Sequence, residues 1–162
     1  RDVFDIGPGI YGLMSGMDGI GALIGSLILA SMGDIKRRGL VFVVGSSILA
    51  LGALLFSISV SYIMAMPMLA IAGLGLSGFG TMQRAIPITM ANQEMRGRAM
   101  GSIALAIGLW PLGLIYVGTL ADKFGAPTAV ASNCLAGLIL VLIVIVTQPR
   151  LRKTEPPGAR PC

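Results

Sequence analysis

Five long apolar runs, separated by short polar or glycine-rich turns, make up most of the chain. After a turn-like opening with Asp2, Asp5 and Gly7-Pro8-Gly9, span A runs from about Tyr11 to Ser31. Spans B, C, D and E follow at about 40–60, 64–91, 99–121 and 127–147. Each has at least the ~20 residues that cross a hydrocarbon core of ~30 Å at ~1.5 Å per residue. The runs are apolar all round, with no polar stripe left to face water. The pattern therefore predicts an all-α integral membrane protein with five transmembrane helices. Pro67 and Pro127 fall where helices are expected to start, and there a missing N–H costs nothing. Residues 1–147 form the membrane region. Residues 148–162, with Pro156-Pro157-Gly158, are expected to be a disordered tail.

Charge sets the orientation. Only 12% of the 162 residues are charged, half the ~25% of a soluble domain. One side of the five-span layout holds nine bases: Lys36, Arg37, Arg38, Arg96, Arg98, Arg150, Arg152, Lys153 and Arg160. The other holds only Arg1 and Lys123. The positive-inside rule puts the nine-base side, and with it the C-terminus, in the cytoplasm of a multi-pass plasma or inner membrane protein. The net charge of +5 lies in short clusters between apolar runs and no recognition motif accompanies it, so nucleic acid is not an expected partner. The lipid bilayer is.

Composition also limits the chemistry. There is no histidine, and the two cysteines, Cys134 and Cys162, form neither a disulfide framework nor a metal spacing, so no cofactor or metal is expected. Gly75-Leu76-Ser77-Gly78 matches a short pattern of intramembrane serine proteases. That chemistry needs a histidine base, so the chain is not read as an enzyme. The 23 glycines suit helices that pack backbone to backbone in lipid. Gly12, Gly16, Gly21 and Gly25 on span A, and Gly73, Gly75, Gly78 and Gly80 on span C, are spaced for such contacts.

Spans A and D end alike, in Leu-Ala-Ser-Met-Gly-Asp-Ile-Lys-Arg-Arg-Gly and Val-Gly-Thr-Leu-Ala-Asp-Lys-Phe-Gly. Asp34 and Asp122 align 88 residues apart, and Gly25 then falls on Gly113. Three spans separate the two, so the related helices run in opposite directions, as in the inverted repeats of transporters.

At these residues the chain resembles the major facilitator superfamily. Gly33-Asp34-Ile35-Lys36-Arg37-Arg38-Gly39 is similar to the family's glycine–acid–base loop motif, and residues 118–125 match the core of the same motif. Glu94-Met95-Arg96-Gly97-Arg98 followed by Pro111-Leu112-Gly113 resembles the start of the eleventh helix in the multidrug and siderophore exporter branch. The resemblance covers about residues 6–147. It implies that spans A to E are the eighth to twelfth of twelve helices, and that about seven helices of an N-terminal part are missing partners. Asp34, Lys36, Arg37, Arg38 and Asp122 would then belong to gating loops that latch one conformational state. Asp34 itself follows a helix C-terminus, where the dipole disfavours a carboxylate, so a basic partner is expected nearby.

Asp18 lies about seven residues into span A, and an intramembrane carboxylate usually faces a cavity or a partner. It is a candidate proton or substrate site, against the alternative of a wetted acid without a transport role. Gln83 and Arg84 lie late in span C, where Arg84 shares a face with Ser77, Gly80 and Thr81. Arg84 either holds an anionic group of a substrate or snorkels to the cytoplasmic surface. At about 17 Å difference in depth, Asp18 and Arg84 are not expected to pair. Glu94, Arg96 and Arg98 form a cytoplasmic loop that meets headgroups or a neighbouring domain. Pro111 is expected to kink span D, and Gly25 and Gly113 to serve packing. The resulting expectation is a secondary transporter of a small molecule, working by alternating access and exporting an amphipathic compound with or without proton coupling. The alternative is a membrane protein that transports nothing itself.

Overall fold

The structure, a computed structural model, describes residues 7–33, 35, 37–59, 61–90 and 93–147. The described residues form six helices: α1 (Pro8–Ser31), α2 (Arg38–Ser57), α3 (Tyr62–Met90), α4 (Arg96–Gly108), α5 (Trp110–Phe124) and α6 (Ala126–Thr147). Helices α4 and α5 follow one another as a single apolar stretch, so five segments are long and apolar enough to cross a membrane. The tail at 148–162 lies outside the described residues.

Local chemistry explains the boundaries. Pro8 opens α1, where a missing N–H is tolerated. Helix α1 closes with the Met32 N–H donating to the carbonyls of Ile28 and Leu29, followed by Gly33 at φ 63°. A left-handed residue is a common helix stop, and glycine adopts it without a Cβ penalty. Ser61 leads into α3, its hydroxyl accepting the Ile63 N–H at 3.4 Å. Helix α5 stops at Gly125, with φ 87° and ψ 150°, and α6 begins at once. The Thr128 hydroxyl lies against the carbonyls of Phe124 and Gly125 across this corner.

One expectation about proline needs adjustment: Pro67 lies within α3 rather than at its start, because the helix begins at Tyr62. Span D is interrupted next to Pro111: a one-residue break falls at Leu109, with Pro111 second in α5. Pro111 lacks the N–H that would bond the Ile107 carbonyl, and its ring crowds that turn.

Spatial order differs from chain order. Helix α3 lies between α1 and α2, which do not touch each other; α6 packs on α2, and α5 on α6. Helix α4 meets only its chain neighbours α3 and α5. Gly21 of α1 abuts Ala70, and Gly25 abuts Leu74 and Ser77, so α1 and α3 run parallel. Gly45 of α2 abuts Gly78 and Phe79, while Gly52 abuts Ala72, so α2 and α3 run antiparallel. Phe42 and Phe79 add a tilted ring pair at 5.3 Å between centroids.

The buried apolar residues are small or flexible: Ala65, Ala72, Ala129, Met14 and Met82. Large side chains point outward along every helix, among them Leu27, Ile63, Leu105 and Val146. In water this would be an aggregating surface. In lipid it is solvation, and packing then depends on close backbone approach rather than burial of bulky residues.

Candidate functional site

Three places bring together the residues with chemistry to offer. The first is the α1–α3 contact. Helix α1 starts at Pro8, three residues before the expected start, so Asp18 lies about 15 Å along it. Its backbone carbonyl rests against Gly73, where any Cβ would collide with it. This contact fixes the position of Asp18 beside α3 and leaves the side chain half-buried. Among the described residues no hydrogen bond or ion pair engages that carboxylate.

The second is the far part of α3. Gln83 is half-buried and Arg84 is exposed, next to the buried Met82. Because Asp18 is level with Gly73, eleven residues before Arg84, the two are about 16 Å apart along the axis. The structure keeps them apart, as the spacing in the sequence implies.

The third is the end of the bundle where α1 stops and α2 starts. Arg37 is the N-cap residue of α2 and makes no side-chain cap, and Arg38 is the first helical residue. Arg37 is exposed and Arg38 half-buried. Asp34 and Lys36 lie outside the described residues. Since α1 and α2 do not touch, they leave an apolar cleft of about 270 Å³ over α3 just below this turn. Ile28, Leu29 and Met32 form one wall, Leu40, Val41, Val44 and Ile48 the other, and Leu74, Ser77 and Gly78 the floor. The Ser77 hydroxyl is spent on the Leu74 carbonyl at 2.7 Å, so the floor offers no free donor.

The remaining candidates are scattered. Glu94, Arg96 and Arg98 are exposed around the start of α4. Asp122 is exposed inside the last turn of α5, ahead of Gly125. Among the described residues the glycines with positive φ, Gly33 and Gly125, are 92 residues apart (125 − 33) rather than the 88 that separate Asp34 from Asp122, so the two copies of the loop motif set their acids differently against the glycine that follows or precedes them. Gly25 is pressed against α3, whereas a Cβ at Gly113 would meet open space among the described residues. Gly12, Gly16 and Gly80 are equally open, so only part of each expected glycine face is used. Trp110 and Tyr116 are exposed. No group of three His, Cys, Asp or Glu side chains among the described residues is placed to hold a metal.

Reading the sequence alone missed two features. Gly45 and Gly52 carry the α2 side of the α2–α3 contact, and their seven-residue spacing on one helix face was the available signal. The cleft has no local signal, because it exists only where two helices diverge over a third.

Comparison with known proteins adds three findings. The profile of the Major Facilitator Superfamily matches residues 1–161. The chain is 32% identical over 143 residues, 84% of its length, to a protein of Mycolicibacterium fortuitum described as the multidrug efflux pump Tap. It spans 33% of that relative's length. No solved structure matches.

Proposed function

The chain belongs to the major facilitator superfamily, and on that premise we propose that it is the C-terminal lobe, or part of it, of a secondary transporter that exports a small amphipathic compound by alternating access. The carrying observation is its 32% identity over 143 residues to the Tap multidrug efflux pump. A two-lobed transport path needs more than five spans, so the reading requires about seven further helices. Mostly exposed surfaces on α4 and α5, which bury no residue, are consistent with that need.

In this reading the Arg37–Arg38 end faces the cytoplasm and forms the latch together with Asp34 and Lys36, while Asp122 sits at the opposite surface. Asp18, half-buried about 15 Å along α1, is the candidate proton or substrate group. Arg84, exposed late in α3, is the better candidate for the membrane surface. A second reading is a membrane protein that moves no substrate itself.

Efflux of a fluorescent amphipathic cation from cells of a strain depleted of its own pumps separates the two. A protein that carries these five spans within a twelve-helix sequence should lower dye accumulation, and Asp18→Asn should abolish the dependence on a proton gradient. Unchanged accumulation favours the second reading. Unchanged proton dependence in Asp18→Asn removes Asp18 as the coupling site while leaving transport intact. Orientation is tested by membrane-impermeant labelling of cysteines placed at Arg37 and Lys123, where labelling of position 37 in intact cells would reverse the topology.

A further inference from the structure

We propose that α6 carries a self-association face, anchored by Asn133, through which two copies of this chain pair side by side in the membrane. Helix α6 is an apolar segment of membrane-crossing length with few polar side chains. Its hydroxyls are spent on the local backbone: Thr128 on the carbonyls of Phe124 and Gly125, Ser132 on Ala129 at 2.9 Å, and Thr147 on Ile143 at 2.7 Å. Asn133 differs. Its side chain is exposed, and among the described residues its amide has no hydrogen-bond partner. It lies seven residues from the Ala126 end (133 − 126), about 10 Å along a helix of 22 residues. That depth is inside the hydrocarbon core, too far for so short a side chain to reach the surface. Lipid chains offer an amide neither donor nor acceptor, and leaving it unpaired there is costly. The group that covers Asn133 must therefore form hydrogen bonds.

Two features select a second copy of this chain. An amide carries a carbonyl acceptor and N–H donors together, so it is complementary to itself. Copies inserted with one topology run parallel at one depth, and a two-fold axis along the membrane normal brings Asn133 level with its own counterpart. The exposed residues also continue from Asn133 at the spacing that two parallel helices need. Asn133, Ala136, Leu140, Ile143 and Thr147 recur at alternate steps of three and four, and all are exposed. Cys134, Leu138, Val141 and Ile145 are instead half-buried, on the side turned to the bundle, where α6 packs on α2. Ala136 is small enough to let two backbones approach next to the amide, and Leu140 and Ile143 supply the packing below it. A single asparagine in such a seam fixes its register. Among the described residues α6 touches neither α1 nor α3, so the face is remote from Asp18 and Arg84. The pairing does not depend on which compound the protein moves.

The experiment labels the full chain on its terminal amine with a donor or an acceptor fluorophore and reconstitutes the mixture in phosphatidylcholine vesicles. Energy transfer is followed over a range of protein-to-lipid ratios and read against the level for randomly placed chains. The wild type should exceed that level and saturate. Asn133→Leu should weaken association by roughly 3- to 30-fold, the range for a hydrogen-bonded polar pair between membrane helices. Asn133→Gln keeps the amide and should retain most of the association. Helicity by circular dichroism should be the same in all three, since Asn133 bonds to nothing among the described residues. Oxidative cross-linking then reads the position of the face. Leu140→Cys should give a disulfide-linked dimer faster than Leu142→Cys, which is exposed on the other side of α6, each counted over the background from Cys134 and Cys162. Energy transfer at the random level in the wild type overturns the proposal, because the amide is then covered by something other than a copy of this chain. Association unchanged by Asn133→Leu overturns it, and so does equal cross-linking at positions 140 and 142.

Discussion

Adding one methyl group at Gly75 tests the packing of the bundle directly. An alanine Cβ at this position would meet the Gly45 carbonyl oxygen at 2.7 Å and the Leu49 Cα at 2.8 Å, and would also press on the Leu49 amide. Ordinary Cβ contacts begin at 3.4 Å, so α2 and α3 must separate by at least about 0.7 Å to clear the Gly45 oxygen (3.4 − 2.7), and by more to clear the nearer Leu49 amide. The obstructing atoms are backbone and cannot rotate away. A gap of this size forfeits roughly a quarter to a half of each dispersion contact along the crossing. Overpacking of this kind costs about 1–3 kcal/mol. Replacing a helical glycine by alanine returns about 0.5–1 kcal/mol. A net loss of up to about 2.5 kcal/mol is expected for Gly75→Ala. Gly137→Ala in α6, where a Cβ meets nothing among the described residues, should instead gain about 0.5–1 kcal/mol. The assay is unfolding of the purified chain in mixed micelles titrated with denaturing detergent, followed by circular dichroism. The reasoning is refuted if the two variants differ by less than about 0.5 kcal/mol, the usual spread for unconstrained sites.

Other positions give shorter tests in the same assay. Gly125→Ala forces a Cβ onto φ 87°, ψ 150°, a region nearly restricted to glycine, and should cost about 1–3 kcal/mol; a neutral result would mean the α5–α6 corner is built differently. Phe42→Ala removes the ring that stacks on Phe79 and should cost about 2–3 kcal/mol, with Phe42→Leu recovering more than half. Pro111→Ala restores an N–H for Ile107 and should join α4 and α5 into one helix. Spin labels at Ser102 and Thr119, seventeen residues apart, should then approach the ~26 Å of a straight helix, and no change in their distance would place the cause of the break elsewhere.

What the sequence by itself determined is everything that depends on local composition. Apolar runs of membrane-crossing length allow only helices in lipid, because no water is present to satisfy the backbone. Five such segments follow from this, whatever packs against them. The glycines before residue 34 and at residue 125 mark helix stops because only glycine enters those φ values without strain. The resemblance to the superfamily was equally legible, since it rests on short contiguous segments around Asp34, Arg96 and Asp122.

Tertiary structure alone decided which faces are used. The glycines of α1 and α3 look equivalent in sequence, yet among the described residues Gly21, Gly25, Gly73 and Gly75 bear contacts while Gly12, Gly16 and Gly80 do not. That choice depends on the direction and crossing point of a partner helix as much as 55 residues away (73 − 18). The same is true of Asp18, whose level beside Gly73 separates it from Arg84, and of α3, third in the chain but central in the packing. The basic turn was visible as a charge cluster. That it stands at the mouth of an apolar cleft follows from the divergence of α1 and α2 over α3, a relation among three helices that no single stretch of sequence encodes.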